Sequence, residues 1–188
     1  MKIFKSRYFC YLMTLLILAL FFSGCGYNFR ADGTPVGINI SSLAIPLIES
    51  SSSEKGFEAE FTTVLRNEFI SHGRVPLKNV NEAEMTLKGN VSEIRTQPLT
   101  YNSVQQSVSG KTFTHETTSS RRLILKLNIR LIENKTGKMI WQHNSMVEEA
   151  NFVVTADPLV NRHNKQEALK KIAKLLSEQV YQKTMERF

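Results

Sequence analysis

Leu123, Leu125, Leu127, Ile129 and Leu131 occupy every second position of one segment. This spacing sends five large apolar side chains to one side of a β-strand. Such a strand needs cover on that side and a neighbour to pair with. Asn134-Lys135-Thr136-Gly137 follows it and is a strong turn signal. Lys138 to Val154 then reads as the returning strand, with Trp141 near its start and Asp157-Pro158 after its end. Upstream, Met85, Leu87, Gly89 and Val91 alternate, and the pattern shifts by one at Ile94. That shift marks a bulge or bend in a long strand running from Met85 to about Thr100. The three segments predict an antiparallel meander. Tyr101 to Ser120 is rich in Ser, Thr, Gln and Asn, and fits either a long polar hairpin end or a mobile segment.

Two segments have helical spacing instead. Phe57, Phe61, Val64, Leu65 and Phe69 form one apolar stripe of a helix over Phe57 to Ile70. Glu58 and Glu60 suit its first turn, and Gly73 is a plausible stop. Leu169, Ile172, Ala173, Leu176 and Val180 form a second stripe in a closing helix from Gln166 to Met185. Ile38 to Ile48 is the first strand candidate, and Ser50 to Ser53 breaks it and offers helix caps. The order β-α-β-β-β-α predicts an α+β fold. It is a two-layer α/β sandwich, with a four-stranded mixed sheet and two helices on one face. Residues 38–188 are expected to form this single domain.

The start of the chain is of another kind. Lys2, Lys5 and Arg7 precede the apolar run Tyr8 to Phe22, and Ser23-Gly24-Cys25-Gly26 follows. This order predicts a lipoprotein signal peptide over residues 1–24, a covalent lipid on Cys25 and a tether over residues 25–37. An apolar run of 15 residues is short against the roughly 20 a spanning helix needs. A transmembrane anchor and an ordinary leader with a coincidental cysteine are the competing readings. Phe22 stands where such motifs usually carry Leu. Gly26, rather than Asp, after the cysteine favours the outer membrane.

Removing the leader takes three of the 24 basic residues and no acidic ones, which leaves 21 against 17 and a net charge of about +4. Export and this modest charge argue against nucleic acid, and the charge suits a phosphate-bearing partner at a membrane. Cys10 leaves with the leader and Cys25 is used by lipid, so a disulfide, a thiol nucleophile and a cysteine metal ligand are all excluded from the mature domain. His72, His115, His143 and His163 lie in separate segments without metal-pair spacing. No phosphate loop or hydrolase elbow is present. The expectation is a protein that is not an enzyme and holds neither metal nor cofactor. Its basic residues are the more useful set. Lys111 lies in the polar segment, Arg121 and Arg122 flank a strand, and Arg162 and Lys165 precede the closing helix, along which Lys170, Lys171 and Lys174 lie. They fit a solvated surface, or a phosphate site if several converge.

Cys25-Gly26-Tyr27-Asn28-Phe29 resembles the mature start of the LptE family of lipopolysaccharide-assembly lipoproteins. So do Ile45-Pro46, the helix from Phe57-Glu58 to Phe69, and Ala83-Glu84-Met85-Thr86-Leu87-Lys88-Gly89-Asn90-Val91. Thr136-Gly137-Lys138-Met139-Ile140-Trp141 and the closing helix complete the order. The resemblance implies an outer-membrane lipoprotein, lipid-anchored at the periplasmic face. Its domain would lie partly inside the β-barrel LptD, which it plugs and helps assemble, and it would take part in lipopolysaccharide transport and insertion. Barrel, lipopolysaccharide and membrane lipid are then the partners. Carried over by position, the lipopolysaccharide contacts are Arg162 and Lys165, with Lys111 the nearest cation to the second contact, which falls near Thr114 and His115. Leu43-Ala44-Ile45-Pro46 and Ala83 to Gly89 are also similar to curli-export secretion-channel lipoproteins. Such a channel would need membrane hairpins within Gln97 to Ser120, which lack a sustained lipid-facing alternation. An envelope binding lipoprotein with no barrel partner is the third reading.

Overall fold

The computed structural model describes residues 40–108 and 111–185. The leader, Cys25, the tether and Ile38 lie outside the described residues. Strands β1 (Leu43–Ala44) and β2 (Glu49–Ser50) precede helix α1 (Phe57–His72). Strands β3 (Met85–Val108), β4 (Lys111–Glu133) and β5 (Met139–Val153) follow, then helix α2 (Pro158–Met185). The sheet order is β1-β3-β4-β5, with β2 also beside β3. Leu43 pairs with Met85 and Glu49 with Asn90, both in parallel, and β3, β4 and β5 form the antiparallel meander. The α+β sandwich expected from the sequence is therefore present.

The single first strand is not. Only Leu43–Ala44 of the predicted segment pairs as a strand, and a second short piece, Glu49–Ser50, follows it, which makes five strands rather than four. Pro46 lies between them and has no N–H to give a ladder. Leu47 turns outward and is 59% exposed, while Ile48 is fully buried. Helix α1 holds the break in place. Arg66 donates from Nε to the Ile45 carbonyl at 2.8 Å, and its terminal nitrogen does so at 2.5 Å. The Thr62 hydroxyl accepts from the Ile48 N–H at 2.9 Å. Ile48 then presses on the bare backbone of Gly89, where an added Cβ would stand 2.9 Å from Ile48 Cδ1.

The β4 stripe is the centre of the core. Leu123, Leu125, Leu127 and Leu131 are fully buried, and Ile129 nearly so. Phe61, Leu65 and Phe69 of α1 and Ile172, Leu176 and Val180 of α2 are buried with it. Phe69 and Tyr181 join the helices in an edge-to-face contact with centroids 5.1 Å apart. Gly73 ends α1 in the left-handed conformation, donating to the Ile70 carbonyl at 3.1 Å.

Of the two readings of Tyr101 to Ser120, the structure has the hairpin. The β3–β4 ladder continues to Val108 opposite Lys111, whereas β5 stops at Val153 opposite Ser120. A two-stranded ribbon thus projects past the third strand. Its Thr, Val and Tyr content favours strand even though none of its described side chains is buried. Register shifts at Val91/Glu93 account for the change of phase seen before Ile94.

Ile48→Val removes the methyl that opposes Gly89. Gly89→Ala alone is expected to destabilise by about 1–3 kcal/mol through overpacking. In an Ile48→Val background the same change should cost clearly less, and urea unfolding of the four proteins measures that non-additivity.

A second expectation concerns acid. Glu84 Oε2 accepts from the Ser41 hydroxyl at 2.6 Å and from the Ser41 N–H at 2.8 Å. Chiefly through the hydroxyl, these donors hold the carboxyl below its usual value of 4.5. A folded pKa below the unfolded one adds stability above the unfolded pKa, lost as pH falls through the folded pKa. Glu84→Gln should therefore lower stability at pH 7 and flatten its decline below about pH 4.5, measured by urea unfolding across pH.

Candidate anion-binding cleft

A cleft of about 540 Å³ opens where the far end of the three-stranded region meets the first turns of α2. Phe152, Val154 and Leu169 form its apolar floor, and Arg121, Arg162 and Lys165 bring three cations to its walls. Arg121 continues the odd-numbered stripe of β4 by one step and so stands on the helix-covered side of the sheet, opposite Phe152. Arg122 takes the other face and pairs with Glu149 at 3.2 Å.

The start of α2 places the other two. Asp157 caps the helix, its carboxylate accepting from the Leu159 N–H at 2.8 Å. Pro158 fits the first helical position, where no N–H is needed. Asn161 accepts from the Thr155 N–H at 2.7 Å and donates to the Thr155 carbonyl at 2.9 Å. Asn164 donates to the Val153 carbonyl at 3.0 Å. These amides tie the first two turns to the end of β5. Arg162 and Lys165, three residues apart, then share one helix face.

Here the sequence reading needs correcting. The closing helix begins at Pro158 rather than Gln166, so Arg162 and Lys165 lie inside it. Its first two turns overhang the core: Leu159 is 72% exposed, and buried residues begin at Ala168. With no apolar stripe there, helical spacing gave no signal. The Asp-Pro pair was the available one.

Lys111 is not brought into the cleft. It starts β4 at the hairpin tip, ten residues before Arg121, or roughly 33 Å along an extended strand. Thr114 and His115 lie on the same projecting ribbon. The third cation in the cleft is Arg121, which the sequence reading singled out but did not place. The β4 alternation, extended by one step, would have placed it. Glu54 was also missed. It lines the cleft and ion-pairs with Lys165. Among the described residues Arg121 and Arg162 make no ion pair. Farther along α2, Lys170 pairs with Glu167 at 2.8 Å, which raises the lysine pKa and lowers that of the carboxyl. These cations belong to a solvated face.

Guanidinium stays charged at any physiological pH and neither gives nor takes a proton. Such groups can hold an anion through charge-assisted hydrogen bonds. Among the described residues no three His, Cys, Asp or Glu side chains gather as a metal site. No described helix is long and apolar enough to cross a membrane.

The fold and cleft together define an α+β sandwich with a cationic cleft at one end. A family model described as LptE, lipopolysaccharide-assembly, matches residues 40–184, and the chain belongs to that family. No curated protein matches it in sequence. A crystal structure of a DUF330-family protein from Xanthomonas campestris shares the fold at a TM-score of 0.56 and 7% identity, covering 83% of this chain and 88% of that one. A minor lipoprotein from Acinetobacter baumannii aligns at 0.47 and 18% identity, over 78% and 91%. Rare lipoprotein B from Shewanella oneidensis aligns at 0.44 and 12% identity, over 75% and 92%.

Arg121→Gln combined with Arg162→Gln should weaken binding of inorganic pyrophosphate at least about tenfold, since each charged hydrogen bond is worth ~1.5–3 kcal/mol. Lys111→Gln should leave it unchanged. NMR titration at low salt measures both.

Proposed function

We propose that this protein is a lipid-anchored plug and assembly partner of an LptD-type outer-membrane β-barrel, and that it handles lipopolysaccharide at that barrel. Membership of the lipopolysaccharide-assembly family over residues 40–184 is the observation that carries the reading. The cleft supports it, because three cations above an apolar floor suit the phosphates and adjoining acyl region of an anionic lipid. Arg162 and Lys165 are the proposed contacts, with Arg121 taking the role the sequence reading gave to Lys111. Glu54 holds Lys165 until a stronger anion displaces it.

Cys25 carries the proposed anchor. Two or three acyl chains hold a protein to a bilayer far more firmly than one, at about 0.8 kcal/mol per buried methylene. The anchor keeps the sandwich at the periplasmic face of the outer membrane, and the projecting β3–β4 ribbon is the segment best shaped to enter a barrel. Steric occlusion and phosphate binding need no nucleophile, so no catalytic role is assigned.

Mild-detergent extraction followed by affinity purification through this chain should recover a large β-barrel protein in stoichiometric amount. Recovery of the chain alone, from cells in which it is lipid-anchored, would sink the plug role. Cys25→Ala should move the protein to the soluble fraction, and membrane retention of that variant would sink the anchor.

A further inference from the structure

The sheet face opposite the helices carries a second cleft, of about 460 Å³. Strand register puts Lys88 directly opposite Arg130, and Arg130 opposite Gln142. One rung on, Asn90 lies opposite Asn128, with Asn144 beside them in the lining. Pro46 and Leu47, in the loop between β1 and β2, wall one side.

Like charges directly opposed across a strand pair destabilise a sheet. Elsewhere on this face the cations are neutralised. Lys126 and Arg95 both reach Glu93, at 2.6 and 3.2 Å, and Arg122 reaches Glu149. Lys88 and Arg130 make no ion pair among the described residues. Glu49, the one carboxylate in the lining, is within ion-pair distance of neither. The fold thus concentrates uncompensated positive charge in a recess.

We propose that this recess binds an acidic saccharide. The two cations take the carboxylate or phosphate of the sugar by charge-assisted hydrogen bonds. Three amides, Asn128, Gln142 and Asn144, each both donate and accept, and so match flanking hydroxyl groups, while the Asn90 amide is engaged by the Ser51 hydroxyl at 3.3 Å. Exposed Leu47 at the rim offers an apolar contact for the C–H face of a ring. An extended acidic peptide fits less well, because the recess lies on the face of the sheet, where no free backbone edge is available to pair with it. The site does not depend on the assembly role proposed above.

The test uses the full processed chain in detergent micelles, with binding followed by calorimetry. Trigalacturonate, maltotriose and inorganic phosphate are the probes. Trigalacturonate should bind at least tenfold more tightly than the other two. Lys88→Gln combined with Arg130→Gln should lower that affinity at least tenfold while Tm holds or rises, since a repulsion has been removed. Arg121→Gln combined with Arg162→Gln should leave it unchanged, which separates this site from the cleft beside α2. Undetectable binding, equal binding of maltotriose or phosphate, or insensitivity to the Lys88 and Arg130 changes would each overturn the proposal.

Discussion

The described sandwich is organised by the register of β4. The strand lies between β3 and β5, and its leucine stripe is buried together with both helices. Side chains alternate with a period of two, so a one-residue slip would expose the whole stripe. The burial of Leu123, Leu125, Leu127 and Leu131 makes that slip prohibitive, since each fully buried leucine contributes about 1.5–3 kcal/mol. The same register sorts the charges. It sends Arg121 to the helix side and Arg122, Lys126 and Arg130 to the other face. Stability and binding chemistry are therefore set by one constraint.

The two faces differ in how they treat their cations. On the helix side a hydrophobic floor meets the first turns of α2, and Glu54 partly compensates the charge through Lys165. On the other face, polar pairs across the strands neutralise one end and leave Lys88 and Arg130 uncompensated at the other. An amphiphilic anion suits the first and a hydrophilic one suits the second.

The layers and most element boundaries were legible in the sequence, because alternation and helical spacing report burial directly. The β3, β4 and β5 segments and α1 were readable for that reason. Legibility failed where burial fails. The first turns of α2 overhang the core, so their residues carry no stripe, and Arg162 and Lys165 were read as preceding a helix that contains them. The split of the first strand depends on Pro46 and on the grip of Arg66 and Thr62, which lie a helix away in sequence. Lys111 was chosen as the nearest cation to an expected position, but an extended strand carries it far from the cleft.

By itself, the sequence determined which residues are apolar and at what period, and hence an α+β sandwich, its helix-covered face and a family resemblance across the chain. It also carried the Cys25 signal, because a processing motif is read as a linear string. Only the tertiary structure decided which cations meet. Arg121, Arg162 and Lys165 come from β4 and α2, and the Glu54 carboxylate comes from the segment before α1. Charged side chains are solvated and leave no periodic trace of their partners. Their convergence is fixed by the packing of the apolar residues around them, and that packing exists only once the chain has folded.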